Sequence, residues 1–240
     1  VRCVAVAFAL SVLILRVVPV AADPLAGGIR FDHLGISDGL SSSSVSSIVQ
    51  DEEGFIWFGT QSGLNRYDGY SIERFEHDPF DRNSLSHNLV QTMHYDRTAG
   101  VLWVGTYGGL NRFEPETGDF TLYENRPDER RSLSNNVVVA IEHDADDELW
   151  VGTLDGLNRF EADTTTFVRY APGPGPGTIP DKVVRDIHTD RLGRLWVGTY
   201  GGLSRYLPRA DASETITTDG REGRKLPGNY VMSSQAEPHD

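Results

Sequence analysis

Four tryptophans recur along the chain at nearly constant intervals, and this spacing constrains the fold more than any other feature. They lie 46, 47 and 46 residues apart, and the sequence contains no fifth tryptophan. Each precedes the pattern x-Gly-Thr-x-x-Gly-Leu-x-Arg-[Tyr/Phe], as in LWVGTYGGLNRF at residues 102–113; the later copies are LWVGTLDGLNRF and LWVGTYGGLSRY. A repeat this long and regular indicates one supersecondary unit copied along the chain. The tryptophans are Trp57, Trp103, Trp150 and Trp196.

The second unit shows how each repeat divides into strands. Apolar and aromatic runs occupy residues 89–95, 101–106, 110–115 and 120–125, and turn residues such as DRTAG and ETGD separate them. The short connections predict an antiparallel meander, and no run shows the 3.6-residue period of a helix. Four-stranded units of about 40–50 residues are typical of β-propellers. The sequence therefore predicts an all-β propeller built of four-stranded antiparallel blades.

The repeats also predict where the blades begin and end. We expect propeller repeats over residues 23–234, followed by a non-repeat tail at 235–240. Residues 29–34 resemble an orphan fourth strand, because Phe31 precedes the first repeat at the distance found for later fourth-strand aromatics. That strand would need three partners from a closing blade, so we expect an incomplete ring from a truncated protein. The predicted blades are about 40–78, 85–125, 133–170 and 179–207, with the start of a further blade at 226–234.

The recurring residues have structural interpretations. The glycines suit a tight turn with positive φ or a close approach between blades. Each tryptophan is expected to fill the wedge between adjacent blades, and each aspartate to bond backbone N–H groups in the first hairpin. The arginines are expected to pair with an acid or to stack on an aromatic ring in the next blade. The aspartates are Asp51, Asp96, Asp144 and Asp190, and the arginines are Arg66, Arg112, Arg159 and Arg205.

The first 22 residues have the pattern of a secretory signal peptide. Arg2 is followed by an apolar run over residues 3–15 and by small residues at Val20-Ala21-Ala22. The run is shorter than the roughly 20 residues that span a bilayer, although an uncleaved anchor remains an alternative. Cys3 is the only cysteine, so the mature part would have no disulfide. We expect a periplasmic protein whose full-length form is anchored in the inner membrane.

The acidic balance of the chain bears on its partners. The formal net charge is −13 at pH 7. A surface of this sign repels the phosphate backbone, so we expect no nucleic-acid partner.

The opening FDHLGISDGLSSSSVSSIVQDEEGFIWFGTQSGLNRYDGY resembles the first blade of the two-component regulator propeller repeat family, and the later V-x-x-I-x-x-D…LWVGT-x-x-GL-x-R-[FY] units are similar to its successive blades. The resemblance covers about residues 29–234. It implies the extracytoplasmic sensor of an envelope-spanning receptor of the hybrid histidine kinase or diguanylate cyclase type. In such receptors one or two seven-bladed rings precede a β-sandwich, a membrane helix and an output domain. We expect none of the last three within these 240 residues.

The sequence offers no catalytic constellation. None of the seven histidines has paired metal-ligand spacing, and Leu149 stands where a calcium loop beginning at Asp144 would need glycine. We therefore expect no catalytic residue, no metal and no cofactor. A secreted glycan-active propeller enzyme or a lectin-like binding module remains an alternative, as does a gene fragment without function.

The loops between the second and third strands vary from blade to blade, unlike the scaffold around them. They should share one face of the ring with the connections between blades, and exposed aromatic side chains there suit a sugar ring or a peptide. A structural role or incidental exposure is the alternative for each residue. We expect an unknown small-molecule or glycan ligand, and a homodimer formed through the missing parts of the receptor. The candidate ligand residues are Gln61, Asn88, Tyr107, Asn136, Asp155 and Tyr200.

Overall fold

A computed structural model of the protein describes residues 32–173, 177–207, 212–220 and 225–233. The chain divides into two units, Val1–His33 and Leu34–Asp240, and nearly all described residues belong to the second. The predicted signal peptide at residues 1–22 lies outside the described residues, as do residues 29–31 of the predicted orphan strand. Residues 32–34 carry no strand. Within the described part of the chain, no helix is both long and apolar enough to cross a membrane.

In the described residues, sixteen strands form four sheets, and each sheet contains four strands that follow one another in sequence. A single 3-10 turn, Ile36–Asp38, precedes the first strand. The first sheet contains β1 (Val45–Gln50), β2 (Ile56–Thr60), β3 (Gly63–Tyr67) and β4 (Ile72–Phe75). The second contains β5 (Val90–Asp96), β6 (Val101–Thr106), β7 (Leu110–Glu114) and β8 (Asp119–Tyr123). The third contains β9 (Val138–His143), β10 (Leu149–Thr153), β11 (Gly156–Glu161) and β12 (Thr166–Tyr170). The fourth contains β13 (Val184–Thr189), β14 (Leu195–Thr199), β15 (Gly202–Leu207) and β16 (Ala212–Ile216).

Every sheet is an antiparallel meander in the same register. Each tryptophan lies on the second strand opposite the repeat arginine on the third, for example Trp57 opposite Arg66 and Trp150 opposite Arg159. Short turns join the strands because consecutive antiparallel strands need only a hairpin connection. One repeat therefore builds one blade, as the sequence predicts.

The hydrophobic core lies between the blades. Three buried clusters each combine residues from two consecutive sheets. In the first of these interfaces, Trp57 and Leu64 pack with Val90, Met93 and Phe113 of the next blade. The inner strands β1, β5, β9 and β13 contact one another in sequence. This successive packing of four-stranded sheets is that of a β-propeller, and the four sheets form an open ring.

The two recurring glycines serve two different purposes. The first permits close approach between blades, since a Cβ added to Gly105 would lie 2.6 Å from Val138 Cγ1. The second forms the turn between the second and third strands, where Gly109 has φ +135° and Gly202 has φ +141°. Residues with a Cβ rarely adopt that conformation, so both positions select glycine.

The first and fourth blades leave apolar faces uncovered in the described structure. Ile48 on β1 is 63% exposed, whereas Met93, Ile141 and Ile187 at the same position of later blades are buried. Trp196 in the fourth blade is only half-buried. An added Cβ at Gly198 would lie 2.8 Å from Val231 Cγ1. Val231 therefore packs against the glycine of the fourth blade in the same way that a valine of each later complete blade packs against the glycine of the blade before it. Residues 225–233, which include most of the predicted further blade at 226–234, carry no strand.

The fourth blade is longer than the sequence predicts. The expected boundary was residue 207, but β16 pairs with β15 and completes the sheet through Ile216. In the other blades the residue opposite the repeat leucine is aromatic: Phe75, Tyr123 or Tyr170. Ile216 takes that position in the fourth blade. Because this position lacks an aromatic residue, β16 was not predicted from the sequence.

Candidate functional site

The turns between the second and third strands lie at one end of the blades together with the connections that lead from blade to blade. The backbone N–H of Tyr107 donates to Leu89 O, and the N–H of Tyr200 donates to Val183 O. Neighbouring blades are joined at the same end, because Gly63 N–H donates to Asn88 O of the following connection. We call this end the loop face, and the sequence-based expectation that these segments share one face agrees with these contacts.

A buried polar cluster supports the loop face in each of the first three blades. In the third blade, Asn158 Oδ1 accepts the Ser134 N–H at 2.9 Å, and Asn158 Nδ2 donates to Ser134 Oγ and to Val151 O. Ser134 Oγ also lies 2.8 Å from Thr153 Oγ1. Asn65 Oδ1 and Asn111 Oδ1 likewise accept the backbone N–H of Ser41 and Ser86. The cluster ties the turn to the connection, so side chains above it are held by a rigid base.

Four of the six candidate ligand residues project from the loop-face turns. Gln61 and Asp155 are exposed, and Asp155 Oδ1 lies 3.7 Å from Lys182 Nζ of the next connection. Tyr107 is 44% exposed, with its ring centroid 6.1 Å from that of His87. Tyr200 packs edge to face on Tyr230, with centroids 5.3 Å apart.

The other two candidates, Asn88 and Asn136, use their side-chain oxygens within the scaffold. Asn88 Oδ1 accepts the His77 N–H at 2.7 Å, and Asn136 Oδ1 accepts the Asn125 N–H at 2.6 Å. Asn229 Oδ1 makes the same bond to Thr218 N–H. These bonds fix the start of each connection, which favours the structural alternative for the two asparagines.

The structure does not bring the candidates together in one pocket, and Tyr107, Asp155 and Tyr200 each lie beside a residue that the sequence analysis did not propose. Tyr107 and Tyr200 stand on the second and fourth blades, each beside a different aromatic ring. Sequence reasoning missed the neighbours His87, Lys182 and Tyr230. Tyr230 carried a signal, because it is aromatic at a position that holds Leu89, Val137 and Val183 in earlier units.

The tryptophans connect each blade with the next. Trp57 lies 5.1 Å from Phe113, Trp103 lies 5.3 Å from Phe160, and Trp150 lies 4.7 Å from Tyr206, all between ring centroids. The indole N–H of Trp57 also donates to Asp51 Oδ2 at 2.7 Å. Asp51, Asp144 and Asp190 therefore bind the indole of their own blade as well as the backbone N–H groups expected of them. At Asp190 burial acts to raise the pKa, but hydrogen bonds from Trp196 and Arg194 outweigh it and hold the pKa at about 2.

The repeat arginines form ion pairs inside their own blades. Arg66 Nη2 lies 2.6 Å from Glu73 Oε2, and Arg205 Nη2 lies 2.5 Å from Glu214 Oε2. Arg112 pairs with Glu114, and Arg159 pairs with Glu148 and Glu161. The guanidinium of Arg66 also stacks over Phe55 of its own blade, 4.8 Å from the ring centroid. The expected acid and aromatic partners are present, but they lie in the same blade rather than the next.

A cluster of titratable side chains lies between the inner strands of the second and third blades. His143 Nδ1 lies 2.9 Å from His94 Nε2, and His94 Nδ1 lies 4.0 Å from Glu142 Oε2. Burial, and then the neighbouring His143, lower the pKa of His94 to about 4. Burial, and then the charge of Asp186, raise the pKa of Glu142 to about 7. Both side chains therefore favour their neutral forms in the fold.

Replacing Glu142 with glutamine is expected to stabilise the protein at pH 8 by about 1–3 kcal/mol and to leave it unchanged near pH 4.5. A carboxyl whose pKa is raised by folding contributes stability below its unfolded pKa, and this contribution is lost as the pH rises from about 4.5 to about 7. His94 acts with the opposite sign as the pH falls from 6.5 to about 4, so only the difference between wild type and variant isolates Glu142. Urea denaturation at several pH values measures it, and a variant that is less stable at pH 8 would contradict this assignment.

Among the described residues, no group of three or more His, Cys, Asp or Glu side chains is placed to hold a metal ion.

Comparison with known proteins relates three of these blades to a family. Three segments, residues 39–62, 132–155 and 178–201, match the family described as Two component regulator propeller. Each spans a connection and the first two strands of a blade, and ends in the loop-face turn. The three segments are similar to repeats of that family. A histidine kinase of Formosa agariphila is 47% identical over 49 residues, which are 20% of this chain and 4% of that protein.

Solved structures with a similar fold include an extracellular domain assigned to a two component system. The extracellular domain assigned to a hybrid two component system of B. thetaiotaomicron is 27% identical, with a TM-score of 0.59. The match covers 76% of this chain and 31% of that one, so the chain spans about a third of this solved relative. Virginiamycin B lyase from Staphylococcus aureus has a TM-score of 0.54 at 13% identity, over 77% of this chain and 56% of the lyase. That likeness concerns the fold alone.

Proposed function

We propose that this chain is part of the extracytoplasmic sensor propeller of a two-component receptor, and that its loop face binds the signal ligand. The observation that carries the proposal is the 27% identical match, over 76% of the chain, to an extracellular domain assigned to a hybrid two component system. The match to a histidine kinase over one repeat supports the same class of protein. Export through the segment at residues 1–22 is part of this proposal.

The loop face suits ligand binding because rigid scaffold and variable side chains meet there. The buried Ser, Thr and Asn clusters hold the turns of the first three blades in place, which lowers the entropy lost when a ligand orders a turn. Tyr107 with His87 stands above one of these clusters, and Tyr200 with Tyr230 lies at the turn of the fourth blade; both pairs offer flat amphipathic surfaces. Asp155 and Lys182 add a hydrogen-bonding acid and base. This combination fits a neutral polar ligand such as a small saccharide or a short peptide.

The test is a screen of soluble oligosaccharides and dipeptides against the purified protein by thermal shift, followed by titration of each hit. We expect the Tyr200→Ala or Tyr107→Ala variant to weaken binding of a hit about fivefold to tenfold, the loss of one aromatic contact. Tyr70→Ala is the matched control, because Tyr70 is 97% exposed in the turn between β3 and β4, at the opposite end of the blade. A hit that both loop-face variants bind unchanged, or that Tyr70→Ala weakens, would contradict the proposed site.

A further inference from the structure

At one pair of positions, the three interfaces between consecutive blades have different side chains. The first position is on an inner strand, opposite the repeat tryptophan, and the second is one residue further along the inner strand of the next blade. Of the three interfaces, only the middle one has a histidine at both positions. The residues are Val49 and Tyr95 between the first and second blades, His94 and His143 between the second and third, and Glu142 and Thr189 between the third and fourth.

The two histidines contact each other across the middle interface. His143 Nδ1 lies 2.9 Å from His94 Nε2, and the ring centroids are 4.9 Å apart. A hydrogen bond at this distance needs a proton on one of the facing nitrogens and a lone pair on the other. The contact therefore holds when both rings are neutral or carry one extra proton between them. It fails when both rings are imidazolium, because both facing nitrogens then carry protons and the two positive charges repel.

The charged groups next to the pair determine where each proton binds. Asp96 Oδ2 lies 3.6 Å from His143 Nε2, so the first extra proton is favoured on His143. Glu142 Oε2 lies 4.0 Å from His94 Nδ1 on the other side of the pair. Burial, and then the charge of Asp186 in the fourth blade, raise the pKa of Glu142 to about 7. This carboxyl is therefore neutral in acid and does not compensate a charge on His94.

A cavity of about 620 Å³ between the second and third blades gives solvent access to the pair. His143 and Asp96 both border it, so a proton can reach the imidazoles while the blades remain packed. The carboxylates around the cavity favour the first proton on His143, and the one arginine opposes it. The other charged lining residues are Arg112, Asp147, Glu148, Glu161 and Asp163.

We propose that the interface between the second and third blades is acid-sensitive: the contact between His94 and His143 holds it closed, and a second proton on the pair opens it. The other two interfaces lack histidine at these positions, so they stay closed under the same conditions. The propeller would thus open at one defined place in acid. This response belongs to the blades and not to the loop-face ligand, so the inference goes beyond the proposed function and does not depend on it.

The direction of the pH dependence follows from His94. Burial, and then His143, lower the pKa of His94 from 6.5 to about 4, against the attraction of Asp96. A histidine whose pKa is lowered by packing stabilises the packed form above its ordinary pKa, and this contribution is lost as the pH falls. The closed interface is therefore favoured above pH 6.5 and is weakened as the pH falls from 6.5 to about 4.

The test uses one buried indole as the reporter for each interface: Trp57 for the first, Trp103 for the second and Trp150 for the third. The ¹⁵N-labelled protein is titrated with acid in the presence of a neutral gadolinium chelate, which broadens the resonances of groups that become accessible to solvent. Single Trp→Phe variants assign the indole N–H signals. Between about pH 6.5 and about pH 4 we expect the broadening of the Trp103 signal to increase about threefold or more, with little change at Trp57 and Trp150.

A variant of His94 tests whether the second proton causes the opening. The glutamine in His94→Gln can still hydrogen-bond His143 Nδ1 but takes up no proton in this pH range, so we expect the broadening at Trp103 to stay constant. His188→Gln is the matched control, because His188 has the same position opposite the tryptophan of the fourth blade. We expect it to retain the full acid response at Trp103.

A double variant serves if His94→Gln does not fold. The changes His94→Val and His143→Tyr give the middle interface the residues of the first one, where Val49 and Tyr95 pack on the apolar cluster. We expect this variant to lose the acid response as well. Equal broadening of all three indoles would show that acid unfolds the whole propeller, and would overturn the proposal. So would a folded wild type without a response at Trp103, or variants of the pair that respond as the wild type does.

Discussion

Replacing Trp150 with alanine is expected to lower the free energy of unfolding by about 3–5 kcal/mol, as for other buried aromatic side chains. Trp150 is completely buried and lies 5.3 Å from Tyr170 of its own blade and 4.7 Å from Tyr206 of the next. The substitution leaves a cavity between two blades and removes the donor to Asp144. Urea denaturation followed by circular dichroism measures the loss.

Trp196→Ala is the matched control for this substitution. Trp196 has the same position in its blade and the same bond to its aspartate, but it is only half-buried. Because less apolar surface is removed from a packed interface, we expect a loss of about half that of Trp150→Ala or less. Equal losses for the two variants would show that packing against the following blade is not what Trp150 contributes.

The second large effect is expected from the buried polar cluster. Asn158→Ala removes the acceptor for the Ser134 N–H and the donor to Ser134 Oγ and Val151 O, in a site closed to solvent. Leaving these groups unpaired should lower the free energy of unfolding by about 2–4 kcal/mol. The same denaturation experiment applies, and loss of structure should begin at the loop-face turn of the third blade, which amide hydrogen exchange can locate.

Ser204→Ala provides the comparison, since Ser204 takes the place of the asparagine in the fourth blade. Its hydroxyl lies 3.3 Å from Thr215 Oγ1, and Pro180 stands where the other blades have serine. We expect a loss of about 1 kcal/mol or less. A loss as large as that of Asn158→Ala would mean that the cluster adds nothing beyond one ordinary hydrogen bond.

Much of the fold follows from the sequence because its main determinants recur. The tryptophan period defines the blade, and the two glycines are required by close approach at Gly105 and positive φ at Gly109. The fourth strand of the last blade escaped prediction because Ile216 replaces an aromatic residue, which was the signal used for that strand. A recurring residue therefore predicts a strand only where each blade uses the same residue type at the same packed position.

The candidate site was less accessible to sequence reasoning. Consecutive strands of an antiparallel meander run in opposite directions, and this alone places the variable turns on one face. The repeat pattern could not reveal that Asn158 is fully buried, because its position in the motif varies between blades. An asparagine is required there because its side-chain oxygen accepts the backbone N–H of Ser134, which lies 24 residues earlier. Nor could spacing alone show that Asn88 bonds His77, or that Tyr230 stands beside Tyr200, because such contacts depend on three-dimensional packing.

Each repeat builds one blade, and the tryptophans of the first three repeats pack against the following blade. The most direct measurement is a set of nuclear Overhauser effects between indole and aromatic ring protons. We predict cross-peaks from Trp57 to Phe113, from Trp103 to Phe160 and from Trp150 to Tyr206, whose ring centroids lie 4.7–5.3 Å apart. Cross-peaks from these tryptophans only to their own repeats, or to aromatic rings of the preceding repeat, would contradict the claim.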